Sequence, residues 1–175
     1  MRDLLTLIEP LIPRLRRYAR SLTRDRAAAD DLVQDCLERI VSRWAQRRPD
    51  GDLRAWAFTI LHNLAVNRVR EGVRRGTQVS LEDVDEGIFA RAPTQESGLH
   101  HADLARALDT LPPEQRSVLL LVSVEDLSYA EVASVLDIPI GTVMSRLSRA
   151  REKLARALDP DRRVPAPAPA LRRVK

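Results

Sequence analysis

The chain has 175 residues, of which 44% are hydrophobic, 31% charged and 3% aromatic, a length that suits one medium domain or two small ones. Lys and Arg number 29 against 25 acids, and a pI near 9.9 suits a polyanionic partner such as nucleic acid. A single cysteine excludes an intramolecular disulfide and a multi-cysteine metal site, and no apolar run approaches the roughly 20 residues of a membrane span.

The opening Met1-Arg2-Asp3-Leu4 lacks the apolar core of a signal peptide, so a cytoplasmic protein without membrane insertion is expected. Leu4, Leu5, Ile8, Leu11, Leu15, Tyr18 and Leu22 recur at helical steps, with Pro10 and Pro13 bending or restarting the segment. A second stripe runs Leu32, Val33, Cys36, Leu37, Ile40, Val41 and Trp44, and closes on the turn sequence Pro49-Asp50-Gly51-Asp52. Cys36 falls on this stripe, where a thiol behaves as a small hydrophobe and not as a nucleophile. The other side of the same helix carries Asp30, Asp31, Gln34, Asp35 and Glu38. Asp30 and Asp31 suit capping and dipole compensation. The whole acidic, Gln-bearing face suits a protein partner equally well.

A third stripe takes Leu53, Trp56, Ala57, Ile60, Leu61, Leu64 and Val69. The segment from Arg54 to Arg70 interleaves cations, aromatics and amides, among them Trp56, Phe58, Thr59, Asn63, Asn67, Arg68 and Arg70. Aromatics stack on exposed bases, cations hold phosphates and amides read base edges. Trp56 and Phe58 suit a core equally well, but two residues apart on a helix they cannot both face one way. Trp56 keeps step with Ile60, which leaves Phe58 or its neighbours nearer the surface.

No segment alternates with period two, so the expected fold is all-α, with two small helical domains. Residues 1–71 read as a three- or four-helix bundle. Gly72, Gly76, Gly87, Pro93 and Gly98 punctuate a flexible linker over 72–98, too long for an ordinary connection. Fully extended it spans on the order of 90 Å. Residues 99–159 form the second helical domain, and the Pro/Ala-rich basic tail 160–175 cannot bury a core, so disorder is expected there. His100 and His101 adjoin in the chain, and with so few other His and Cys no metal site is expected.

Within the second domain, Ser128 and Glu131 have the spacing of a capping box, with Ala130, Val132, Ala133 and Leu136 on the buried side of the helix they start. Asp137 marks a turn and tolerates left-handed geometry, and Pro139 suits the first turn of the next helix. That helix turns Val143, Leu147, Ala150 and Leu154 inward, while Thr142, Ser145, Arg146, Ser148, Arg149, Arg151 and Lys153 face out. A short capped helix, a tight turn and a helix with a basic outer face match helix-turn-helix DNA readers. An ordinary helical hairpin with a solvated face has the same outline.

Four motifs in this order resemble the extracytoplasmic-function class of bacterial RNA polymerase sigma factors of the sigma-70 family. They are Tyr18-Ala19-Arg20 followed by Ala29-Asp30-Asp31-Leu32-Val33-Gln34-Asp35; Leu53-Arg54-Ala55-Trp56-Ala57-Phe58-Thr59-Ile60 with Asn63; Leu111-Pro112-Pro113-Glu114-Gln115-Arg116; and Gly141-Thr142-Val143-Met144-Ser145-Arg146-Leu147-Ser148-Arg149-Ala150-Arg151. The resemblance covers nearly everything from Leu11 to Leu158. It implies that 1–71 is sigma region 2 and 99–159 sigma region 4. It further implies an alternative sigma factor that binds core polymerase through Asp30, Asp31, Gln34, Asp35 and Glu38 on the β′ clamp helices, with the β subunit as a further contact. The −10 promoter element would be melted and held by Trp56, Phe58, Thr59, Asn63, Asn67, Arg68 and Arg70. The −35 element would be read by Ser145, Ser148 and Arg149, with Thr142, Arg146 and Arg151 on phosphates. The two elements lie about 17 base pairs, roughly 60 Å, apart, within reach of the linker. An anti-sigma factor is implied as a further partner.

Two departures stand out. Met144 occupies a position where many relatives carry a basic residue, and Asp137 replaces the more usual turn glycine. The alternative, a dimeric helix-turn-helix repressor or activator, leaves the aromatic and amide-rich helix unexplained. No phosphate loop or zinc-protease motif is present, so neither catalytic residues, a cofactor nor a small-molecule substrate is expected.

Overall fold

A computed structural model describes residues 2–47, 51–74 and 103–159, with helices and turns and no strand among the described residues. In chain order these are α1 (Arg2–Ile8), a 3-10 turn (Glu9–Leu11), α2 (Ile12–Thr23), α3 (Arg26–Ser42), a second 3-10 turn (Trp44–Gln46) and α4 (Leu53–Arg74). They continue with α5 (103–109), α6 (Pro113–Ser123), α7 (Tyr129–Leu136) and α8 (Ile140–Leu158). The first three residues of the expected linker belong to α4. The rest of it, His100, His101 and the tail lie outside the described residues.

Prolines and caps set the boundaries. Pro10 sits in the 3-10 turn that separates α1 from α2, and Pro13 in the first turn of α2, where a missing N–H costs nothing. Helix α2 ends at Arg24, which adopts left-handed geometry at φ 56°. Asp25 then caps α3, its carboxylate accepting the Ala28 N–H at 2.5 Å. This corrects the capping role considered for Asp30 and Asp31. Helix α3 starts at Arg26, so both acids stand in the second turn, too far along to cap it.

Helices α2, α3 and α4 pack on one another around Leu15, Tyr18, Ala29, Leu32, Cys36, Ile40, Phe58 and Leu61, all buried. Phe58 corrects a second expectation. It is fully buried and meets the Tyr18 ring edge-on at 5.5 Å, whereas Trp56 is half-buried. The expectation assumed one buried face, but α4 is covered by α2 and α3 on one side and by α7 on another.

Helices α6, α7 and α8 form the second unit around Val118, Leu121, Val132, Val135, Val143, Leu147 and Ala150. Ala130, expected on the buried side of α7, is exposed, and Val135 takes its place. The two units pack together. Helix α2 lies on α6 and α4 on α7, and the buried residues form one cluster running from Leu4 to Ala150.

Candidate nucleic-acid interface

The outer face of α8 is built from the turn that precedes it. Ser128 accepts the Glu131 N–H at 3.2 Å, and the Glu131 carboxylate accepts the Ser128 N–H at 2.7 Å, so the capping box is complete. Asp137 ends α7 in left-handed geometry at φ 53°, and the Ile138 N–H reaches back to the Ala133 carbonyl at 3.0 Å. Pro139 stands just outside α8, at its N-cap, with extended geometry. With Val143, Leu147 and Ala150 buried, the helix presents Ser145, Ser148, Arg149 and Arg151 to solvent. The Ser145 hydroxyl donates to the Thr142 carbonyl at 3.1 Å. Thr142 and Arg146 are half-buried, and Met144 is exposed.

On α4, Asn63, Asn67 and Arg70 are exposed at steps of four and three, so they share one stripe. The Thr59 hydroxyl is occupied by the Ala55 carbonyl at 2.9 Å. Phe58 lies beneath this surface and is out of reach of a base. At the start of α4, Trp56 meets Trp44 edge-on at 6.4 Å, and the Arg47 guanidinium lies 5.0 Å over the Trp44 ring. Gln46, Arg47, Gly51, Asp52 and Trp56 line a cavity of about 300 Å³ there. Trp44 entered the sequence reading only as the last step of an apolar stripe, and Gln46 and Arg47, beyond that stripe, carry no periodic signal, so none of the three was singled out as a site residue.

The acidic face of α3 leaves Asp31, Gln34, Asp35 and Glu38 exposed, with Gln34 Nε2 donating to Glu38 at 3.1 Å. Asp30 pairs with Arg16 of α2 at 3.2 Å. Arg68 donates to the Asp35 carboxylate at 2.5 Å and to the Ala28 carbonyl at 3.2 Å, so residues expected on two different partners bind each other. Below this face, burial, and then the negative charge of Asp35, push the Cys36 thiol up to about 12.

The seam between the two units is charged. Glu125, in the loop from α6 to α7, is 1% exposed. Its carboxylate accepts Arg14 Nε at 2.7 Å and Arg17 Nη2 at 2.6 Å. Its carbonyl accepts Arg14 Nη2 at 2.8 Å and Arg54 Nη1 at 3.1 Å, and Arg54 also reaches the Asp126 carbonyl at 3.3 Å. Farther along, Arg116 pairs with Asp109 at 3.0 Å and donates to the Ser21 carbonyl at 3.3 Å. Tyr18 OH lies 3.1 Å from His62 Nδ1 and shares a hydrogen bond with Ser117. Burial raises the Tyr18 hydroxyl pKa well above its ordinary range and lowers that of His62. Periodicity carries no trace of this seam, since its partners lie far apart in sequence. Among the described residues no cluster of metal-ligating side chains forms, and no helix is long and apolar enough to cross a membrane.

Residues 8–62 match the family model described as the Sigma2 domain of PhyR, and residues 101–154 match Sigma-70, region 4. The chain is 38% identical to the ECF RNA polymerase sigma factor EcfG of Rhodopseudomonas palustris, over 84% of this chain and 80% of that one. It is 35% identical to ECF sigma factor SigE of Mycolicibacterium smegmatis, over 85% of this chain and 58% of the relative. Among solved structures it is similar to the sigma factor RpoE from Bartonella quintana, crystallised with the anti-sigma factor NepR. The TM-score is 0.79 and the identity 31%, covering 93% of this chain and 100% of that one, so the overlay includes both units. These relationships favour a sigma factor over a dimeric helix-turn-helix regulator.

Proposed function

The chain belongs to the extracytoplasmic-function RNA polymerase sigma factors, and from that premise we propose that it is a dissociable initiation subunit that reads a −35 element with α8 and opens a −10 element with α4. The observation that carries the reading is the capped α7–α8 unit, which buries Val143, Leu147 and Ala150 and thereby turns Ser145, Ser148 and Arg149 toward solvent. In the major groove these three are base contacts, and Thr142, Arg146 and Arg151 serve phosphates. The exposed Asn63, Asn67 and Arg70 stripe meets the −10 strand, with Trp56 and Thr59 beside it. The cavity at Trp56 and Arg47 is a place for an unstacked base. Phe58 supports that helix from within and takes no base.

Asp31, Gln34, Asp35 and Glu38 are the exposed part of the polymerase-binding face on the β′ clamp helices, with Asp30 at its edge. The protein supplies binding and base selection and leaves the chemistry to polymerase, in the cytoplasm where that enzyme works. Unstacking bases costs a few kcal/mol per step, so captured bases and polymerase contacts together must offset melting. An anti-sigma factor is a further partner, as for the Bartonella protein solved with one.

The test is run-off transcription with sigma-free core polymerase and fragmented genomic DNA. Transcripts starting downstream of a shared pair of motifs about 17 base pairs apart are expected. A folded protein that binds DNA alone and yields no protein-dependent transcript would overturn the reading.

A further inference from the structure

The seam between the two units sets buried polar and charged groups beside the apolar cluster that both units share. Among the described residues the buried polar and charged side chains are Gln115, Arg116, Ser117 and Glu125. Three of these reach across the seam: Arg116 to the Ser21 carbonyl, Ser117 to Tyr18, and Glu125 to Arg14 and Arg17. Polar contacts of this kind characterise surfaces that part and rejoin, because a buried ion pair roughly breaks even against its desolvation while demanding a defined geometry. Glu125 is enclosed, yet the Arg14 and Arg17 side chains remain 28% and 37% exposed, so water reaches the clasped cations from outside.

The same packing brings the two promoter-reading helices to one groove, with α7 between them. Helix α7 covers one flank of α4. Arg146 of α8 lines a single groove of about 590 Å³ together with Val66, Val69 and Arg70 of α4. Two DNA elements roughly 60 Å apart are beyond helices that share one groove. We propose that the Glu125 loop is an intramolecular clasp: by gathering Arg14, Arg17 and Arg54 it holds the two units closed in the free protein, and closure must be released before both promoter elements are engaged. The second half of this statement rests on the promoter-reading proposal above. A binding-competent form that is a minor fraction of the free protein weakens apparent affinity by that fraction, so the clasp acts as a brake on polymerase binding.

The experiment is distance measurement by fluorescence transfer on the full chain, labelled at Ala27→Cys and Lys153→Cys, both exposed sites outside the seam contacts. Buried Cys36 stays unlabelled. The parent is expected to show one short distance. Glu125→Arg should deplete that population at least about fivefold, and so should Arg14→Gln with Arg17→Gln, which leaves the second unit untouched. Helix content by circular dichroism should be unchanged in both. Arg17→Glu combined with Glu125→Arg should restore the short distance, a rescue that a misfolded chain would not give. In run-off transcription the opened variants should reach half-maximal signal at about fivefold less core polymerase. Unchanged distances in both opening variants overturn the clasp, and opened variants with an unchanged polymerase requirement overturn its inhibitory role. Should the parent give no polymerase-dependent transcript, promoter reading fails, and the distances still decide the clasp.

Discussion

Cys36 and His62 report burial through opposite titrations. With its thiol pushed up to about 12, Cys36 carries almost no thiolate at about pH 8, and it is also enclosed. Alkylation by iodoacetamide is therefore expected to follow unfolding, with a labelling rate that rises steeply with denaturant. Prompt stoichiometric labelling in native buffer would contradict this packing. His62 has its folded pKa lowered below the unfolded value of 6.5, so between the two values the unfolded chain binds the extra proton. Its contribution is full above 6.5 and is lost as pH falls through that value toward the folded one. The urea midpoint should drop between about pH 7 and about pH 5, and His62→Gln should flatten the slope. Cys36 was legible as core from its stripe. Phe58 was not, because a two-residue offset excludes a shared face only for a helix covered on one side, and α4 is covered on more than one.

At the scale of elements, the α7–α8 unit was the most readable part of the chain, because each of its signals is local: a cap three residues long, one left-handed turn residue and one apolar stripe. Ser128→Ala removes a capping acceptor and should cost about 1 kcal/mol in urea denaturation, with the Glu131 carboxylate still able to reach the Ser128 N–H. Asp137→Gly should act in the opposite sense. Asp137 holds φ 53°, where a side chain is strained and glycine is free, so a gain of about 0.5–1 kcal/mol is expected. The acidic helix was readable as a helix and misread at its start. Asp25 forms the cap five residues before Asp30, across Arg26 and three alanines, and Asp25, Asp30 and Asp31 are all acceptable N-caps by residue type, so sequence alone does not choose between them.

For the whole molecule the legible part was two helical units, and the illegible part was how they meet. Arg14 and Glu125 are separated by 111 residues, Arg54 and Glu125 by 71, and neither partner marks the other in sequence. In the proposed function, promoter choice depends on α8 and α4 together. Arg149→Ala should lower transcription most at promoters whose −35 base it contacts, by about 1–3 kcal/mol of discrimination. Run-off assays on a −35 substitution series measure this, and an equal loss on every promoter would reassign Arg149 to phosphate.

The pairing of Arg68 with Asp35 has a consequence for the order of assembly. In the proposed function α3 meets polymerase and α4 meets DNA, so one bond ties a group from each surface, and whichever macromolecule arrives first takes one half and releases the other from that bond. Thermodynamic linkage makes the exchange reciprocal: what polymerase loses in breaking the pair, DNA recovers in a ready cation. For a half-exposed pair the sum is about 1 kcal/mol at most, yet its sign is fixed. Each ligand makes the other's arrival easier, a small built-in bias toward complexes that hold both.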